Sequence, residues 1–208
     1  MSLWAVIPIK PLRLGKSRLA GVLSDTDREN LNKSLLSRLI DCTQSIQEIN
    51  ETVIVSCDPA VLSMSRDLGV RTIQESKLTN LNNALRKATK ALKSFNVNQL
   101  LILPADLPFI TANDIFQIIQ KITSPPEIII SPDQSKNGTN ALLINPVGII
   151  DYDFGEGSFR NHIEQAERKR VRVEIYNNDN IAFDLDTPLE IEYLRNSKEL
   201  DKYLVPHQ

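Results

Sequence analysis

The sequence predicts an α/β domain built on a mostly parallel sheet with helices on both faces. Three observations predict it. Apolar strand-like runs alternate with amphipathic helical stretches over the first two thirds of the chain. Several of these runs are apolar at every position, Ile128-Ile129-Ile130 most clearly, as strands covered on both faces are. Charged residues gather just after the runs, where open α/β sheets carry their ligands.

The first strand is read at 4–9, followed by a polar loop with Lys10, Arg13, Lys16 and Arg18. Ser24 or Asp25 then caps a helix in which Leu31, Leu35, Leu36, Leu39 and Ile40 recur at helical spacing. Residues 52–56 form the second strand. A short helix over 59–67 is closed by Gly69, and 70–73 make a third strand. Leu85, Ala88, Ala91 and Leu92 give 81–95 an amphipathic face. The buried strand 99–103 delivers Asp106 just beyond its carboxyl end. Thr111 or Asn113 caps a helix over 113–122, strands follow at 127–131 and 141–144, and a helix at 159–167. Strands at 171–176 and 181–185 and a helix over 189–203 complete the order. Pro125-Pro126 is a local breaker, and nothing resembles a linker or an internal repeat, so 1–208 reads as one domain.

A net charge of −2 over 208 residues excludes a general nucleic-acid binder and leaves room for a local basic pocket. Cys42 and Cys57 read as reduced thiols without metal-ligand spacing. The chain enters its first strand without a signal-peptide pattern. No apolar run approaches the roughly 20 residues that span a bilayer. A cytoplasmic protein without a membrane partner is expected.

Two carboxylates flank one apolar residue in Asp184-Leu185-Asp186-Thr187-Pro188. In an extended strand, residues i and i+2 project to the same face, so Asp184 and Asp186 would point together at a shared cation. Like charges held together repel unless a cation intervenes. With Asp106 from another strand end, the three make a candidate Mg²⁺ site for phosphate chemistry. A solvated strand end for the pair and a turn aspartate for Asp106 are the plain alternatives. Lys10, Arg13, Lys16 and Arg18 lie within nine residues after the first strand. They suit polyphosphate oxygens, or form a solvated basic loop; the P-loop pattern is absent. Thr139 follows Gly138 and offers a hydroxyl. Gly155, Gly157 and Ser158 lead into a helix, as a phosphate seat would, although Ser158 also suits a plain N-cap. His162 reads as a supporting residue rather than a catalytic base. Asn80, Asn82 and Asn83 either read a nucleobase edge or cap their helix.

Taken in order, Pro8-Ile9-Lys10 with Lys16-Ser17-Arg18-Leu19, Leu103-Pro104-Ala105-Asp106-Leu107-Pro108, Gly138-Thr139-Asn140-Ala141-Leu142, Phe154-Gly155-Glu156-Gly157-Ser158-Phe159 with His162, and Asp184-Leu185-Asp186-Thr187-Pro188 resemble the 2-phospho-L-lactate guanylyltransferase family of coenzyme F-420 biosynthesis. The resemblance runs from about residue 4 to about residue 194. It implies a single-domain, Rossmann-like mixed sheet of the nucleotidyltransferase, glycosyltransferase-A-like type. It also implies GTP as donor, a phosphorylated three-carbon acid as acceptor, Mg²⁺, and a homodimer. Asp106, Asp184 and Asp186 would hold the metal. Thr139, Gly155 and Ser158 would hold the acceptor's phosphate. Lys16 and Arg18, with Lys10 nearby, would face the triphosphate. Where relatives often carry two acidic residues after the last motif, Leu189 and Glu190 stand here. Phosphoenolpyruvate and 3-phosphoglycerate are the rival acceptors. A cytidylyl- or molybdopterin-type enzyme would show a more glycine-rich first loop, and a non-catalytic nucleotide binder would not need three aspartates.

This reading predicts that Asp106→Ala or Asp186→Ala lowers turnover by at least about 100-fold. The circular dichroism spectrum should be retained. Wild-type rates from a folded variant would remove that carboxylate from the chemistry.

Overall fold

The computed structural model describes residues 2–75 and 80–204. Seven strands form one sheet: β1 (Leu3–Pro8), β2 (Glu51–Ser56), β3 (Arg71–Gln74), β4 (Gln99–Ile102), β5 (Glu127–Pro132), β6 (Thr139–Asn145) and β7 (Arg172–Ile175). Their spatial order is β3-β2-β1-β4-β6-β5-β7. Only β6 runs against the others, pairing antiparallel with both β4 and β5. Its reversal brings its first residues, Thr139 and Asn140, to the rim where the remaining strands end. The sheet is therefore mixed, and the rim where six strands end also carries the start of β6.

The period-two pleat divides each strand between two cores. Ala5 and Ile7 of β1 enter one, with Leu36, Leu39 and Ile40 of α1 (Asp25–Gln44), Val61 of α2 (Pro59–Asp67) and Ile115 and Ile118 of α4 (Ala112–Ile119). Trp4 and Val6 enter the other, with Leu85, Ala88 and Leu92 of α3 (Leu81–Leu92) and Ala166 of α5 (Ser158–Arg168). Helices thus cover both faces, which is why Ile128, Ile129 and Ile130 are all buried.

Helix starts follow their local chemistry. Ser24 caps α1 through the Asp27 amide, and Asp58 caps α2 ahead of Pro59. Asn80 caps α3, and Thr111 forms a capping box with Asp114 on α4. Gly69 takes the left-handed conformation after α2, at φ 79°.

Two sequence expectations are overturned. The strand expected at 181–185 is a one-turn helix, α6 (Asp179–Ala182), followed by an irregular segment. Asn178 accepts from the Ile181 amide, and Asn178 and Asn180 both donate to Asp114 on α4. These bonds wind the chain against α4 rather than along the sheet. The closing helix over 189–203 is broken into α7 (Pro188–Asn196) and α8 (Asp201–Leu204), with Lys198 at φ 58° between them.

A third, smaller core lies at the rim. Leu19 and Leu23 of the loop after β1 pack with Leu31 and Leu35 of α1, Phe183 and Leu185, and Ile191 and Leu194 of α7. This core ties the basic loop to the segment that carries the paired aspartates. Among the described residues, no helix is long and apolar enough to cross a membrane.

Leu185 is fully buried between the two aspartates. Leu185→Ala should lower stability by about 2–5 kcal/mol, the range for truncating a buried leucine. A urea titration checks it; a change within about 0.5 kcal/mol would show that the third core does not contribute to stability.

Candidate active site

Asp106 and Leu185 meet through the main chain, the Leu185 amide donating to the Asp106 carbonyl at 3.0 Å. That bond sets the Asp184-Leu185-Asp186 segment beside the turn after β4. The aspartates therefore converge by a loop-to-loop bond and a buried leucine, not by the strand pleat the sequence suggested. Asn140, the second residue of β6, donates to the carbonyls of Ile181 (2.9 Å) and Ala182 (3.2 Å) and to Asp184 Oδ1 (3.4 Å). From the other side Glu190, third residue of α7, accepts from the amides of Asp186 (3.0 Å) and Thr187. Glu190 therefore braces Asp186 from below. The Thr187-to-Glu190 spacing is a readable capping-box signal, whereas nothing local marked Asn140 as the brace of Asp184.

The three carboxylates feel one another. Burial pushes Asp184 up to about 6, with Asp106 and then Asp186 adding repulsion while the Asn140 bond opposes it. Asp106 is also raised, first by burial; Lys16 and Lys10 pull it down and Asp186 pushes it up. Lys16 partly compensates: its Nζ lies 3.9 Å from Asp106 Oδ2 and donates to the Leu185 carbonyl at 2.5 Å. Expected to face a triphosphate, this lysine is folded onto the acidic segment, its side chain 5% exposed. Among the described residues no three acidic, imidazole or thiol groups form a preassembled metal cage. The donor set still suits a hard divalent cation: carboxylates sharing one half-buried rim with more negative charge than one ammonium offsets.

The basic loop is held from below by α1. Asn32 Nδ2 donates to the Leu12 carbonyl at 2.7 Å, and Arg28 Nη1 to the Gly15 carbonyl at 3.4 Å. A Cβ on residue 15 would stand 2.8 Å from Asn32 Nδ2, so the lone glycine serves close packing rather than a phosphate cradle. Arg13 is paired with Glu29 at 2.9 Å, while Lys10 and Arg18 are exposed.

A second polar cluster surrounds the start of β6. Ser158 Oγ donates to Thr139 Oγ1 at 3.1 Å, His162 Nδ1 lies 3.2 Å from the same oxygen, and the Asp153 amide donates to His162 Nε2 at 3.0 Å. Ser158 and His162 are fully buried. The helix start expected to seat a phosphate is partly engaged within the chain. Asn137 Oδ1 takes the Gly157 amide, the Asn137 carbonyl takes that of Phe159, and Gly155 takes that of Ser158. Gly155, at φ 128° and exposed, makes the turn that only glycine adopts freely. Asn82 corrects the nucleobase expectation: its amide donates to the Phe154 carbonyl (3.1 Å) and accepts the Phe154 amide (2.8 Å). Both functional ends are spent holding this turn to α3. Residues 78 and 79, ahead of Asn80, lie outside the described residues.

A cleft of about 620 Å³ adjoins the aspartates through Phe183 and Glu190, with Phe109, Gln134, Asp179 and Tyr193 among its walls. It has the size of a small-molecule site.

Removing one charge from the acidic cluster should relieve repulsion. Asp184→Asn should raise the melting temperature of the chelator-treated protein at pH 7; a fall would show that Asp184 is stabilised by partners rather than strained by neighbours. His162 behaves oppositely to a surface histidine. Burial holds it down at about 4 from 6.5, with Asp153 and Asp151 opposing. The unfolded chain therefore binds the extra proton between about pH 6.5 and 4, and stability drains as pH falls through that window. At about 1.4 kcal/mol per pH unit the loss reaches roughly 3 kcal/mol. Asp184, raised in the fold, contributes in the opposite direction over about pH 6 to 3.8. The difference between wild type and His162→Asn in urea titrations therefore isolates the histidine, and parallel pH curves would refute its neutral burial.

The chain is similar to several known proteins. The protein resembles phosphoenolpyruvate guanylyltransferase of Rubrobacter xylanophilus at 38% identity, over 95% of each chain. It resembles that of Sphaerobacter thermophilus at 33%, over 93% of each. The 2-phospho-L-lactate guanylyltransferase of Methanocaldococcus vulcanius is 32% identical over 89% of this chain and 81% of its own. Among solved structures, 4-diphosphocytidyl-2C-methyl-D-erythritol synthase from Anaerococcus prevotii superposes with a TM-score of 0.66 at 13% identity, covering 95% of this chain and 96% of its own. CMP:2-keto-3-deoxy-manno-octonic acid synthetase complexed with CTP gives 0.65 at 11%, covering 97% and 100%. These likenesses show the fold alone: the nucleotidyltransferase, glycosyltransferase-A-like sheet. The model of the CofC-like guanylyl transferases matches residues 3–199, and the chain belongs to that family.

Proposed function

We propose that this protein transfers a guanylyl group from GTP to the phosphate of a three-carbon acid, 2-phospho-L-lactate or a close analogue, and releases pyrophosphate. The observation that carries the reading is the convergence of Asp106, Asp184 and Asp186 beside Lys16, in a chain of a guanylyl transferase family. The acceptor's phosphate oxygen attacks the α-phosphorus, and the bond to the β-phosphate's bridging oxygen breaks. A phosphate monoester is largely dianionic near neutral pH, its second pKa being about 6, so no general base is needed. His162, neutral and fully buried, is not placed as one. Catalysis then rests on alignment and charge neutralisation. The exposed Lys10 and Arg18 offset charge on the departing pyrophosphate, while Lys16 holds its charge beside Asp106. Thr139 and the Gly155 turn, supported by Ser158, receive the acceptor. Asp106, Asp184 and Asp186 would hold Mg²⁺, which when bound supplies charge neutralisation at the α-phosphate.

Phosphoenolpyruvate is the second reading. Relatives named for it reach 38% identity over nearly the whole chain, against 32% for those named for 2-phospho-L-lactate. The product of either acceptor would enter deazaflavin coenzyme F-420 assembly, in a cytoplasmic homodimer.

The test is pyrophosphate release with GTP, Mg²⁺ and each of 2-phospho-L-lactate, phosphoenolpyruvate and 3-phosphoglycerate. Turnover with GTP and one of these acids, lost in Asp106→Ala and Asp184→Ala, is expected. Turnover with CTP but not GTP would overturn the donor assignment, and none with any acceptor would overturn the reaction.

A further inference from the structure

The Thr139 hydroxyl is set in an unusual hydrogen-bonding state. The Asp153 amide can only donate, so His162 Nε2, 3.0 Å away, accepts. A neutral imidazole with an accepting Nε2 carries its proton on Nδ1. Nδ1 faces Thr139 Oγ1 at 3.2 Å and therefore donates to it. Ser158 Oγ donates to the same oxygen at 3.1 Å. A hydroxyl oxygen has two lone pairs, and both are now filled. The Thr139 proton remains, and no acceptor for it stands among the described residues. Thr139 is 6% exposed, at the start of the reversed strand, next to the Asn140 that braces Asp184.

We propose that His162 is a positioning residue that, through Thr139, turns the acceptor subsite into a donor-only contact for an unprotonated anionic oxygen. The inference rests on the guanylyl-transfer reading and deepens it. The ligand class selected is an ionised phosphate or carboxylate oxygen of the acceptor acid. A protonated oxygen in that place still accepts through a lone pair but is the weaker acceptor, so the ionised form is favoured. His162 does not touch substrate; its ring packs against Phe154 at 5.0 Å and reaches the acceptor only through Thr139. Asp153 fixes its tautomer, and the Asn82 clamp on Phe154 fixes the turn that carries Asp153. The Asp153 bond fixes the tautomer in either case; what a histidine that merely fills the core would not give is a selective effect on the acceptor over GTP.

The experiment is steady-state kinetics with GTP and the preferred acid from the acceptor panel. It compares wild type, His162→Phe, which keeps the ring against Phe154 without a donor, and His162→Asn, whose amide returns a donor near Nδ1. His162→Phe should raise KM for the acceptor about tenfold or more, the effect of losing one well-placed hydrogen bond. KM for GTP should stay unchanged. His162→Asn should recover most of the loss. Equal increases in both KM values, or no difference between the variants, would overturn the proposal. A wild type active with an unchanged acceptor KM in His162→Phe sinks this inference alone; a wild type inactive with every acceptor sinks the reaction and the inference together. Should the variants fail to fold, ¹⁵N NMR of the wild-type imidazole decides it. The Nδ1-protonated tautomer at pH 7, with a resonance that moves on adding whichever of the three acids supports turnover, is expected, and an Nε2-protonated ring or a resonance unresponsive to that acid would refute it.

Discussion

Leu185 is the residue on which the acidic site depends. Its amide is given to Asp106, its carbonyl to Lys16, and its side chain to a core shared with Leu19 and α7. One buried residue thus joins three segments that are distant in sequence: the turn after β4, the basic loop after β1, and the aspartates it separates. Each link restrains a different degree of freedom. The main-chain bond sets the distance between the acidic segments, the lysine brings the cation to them, and the apolar contact keeps the segment seated.

The electrostatics of the site run against its own stability. Burial pushes Asp184 and Asp106 up, Asp106 adds repulsion at Asp184 and Asp186 adds it at both, and one lysine offsets only part of the charge. A fold optimised for stability would neutralise one of these carboxylates. Clustered carboxylates with shifted titration mark a candidate functional site rather than a device for stability. The supporting groups are neutral or outside the cluster: Asn140 under Asp184 and Glu190 under the Asp186 amide. Of the two positions after the motif, Glu190 spends its carboxylate on backbone amides and Leu189 is exposed.

Much of the candidate site was legible as residues but not as geometry. Asp106, Asp184, Asp186 and Thr139 stood out by their positions beside expected strands, and Gly155 by its place ahead of a helix. The assumed strand for Asp184 and Asp186 was wrong, because the competing asparagine-to-Asp114 bonds that wind 179–182 connect side chains more than 60 residues apart. Asn82 was legible only as a polar residue at a helix start; its partner, Phe154, lies 72 residues on. Ser158 read as an open donor and is a buried one. Glu190, by contrast, was readable through its local capping box.

What the sequence determined by itself are the terms set within a few residues: the strand and helix alternation, the two-faced burial of β5, the caps at Ser24, Asn80 and Thr111, and the set of charged residues available for chemistry. These rest on pleat and helix periodicity and on side chains reaching their own backbone. Tertiary structure alone decided the reversal of β6, which brings Thr139 and Asn140 to the rim, and the folding of Lys16 onto Leu185. It also decided the proton state of His162, set by an amide nine residues away across a turn and by its burial. Such features depend on which surfaces meet after the chain has closed, and no window of sequence contains both partners.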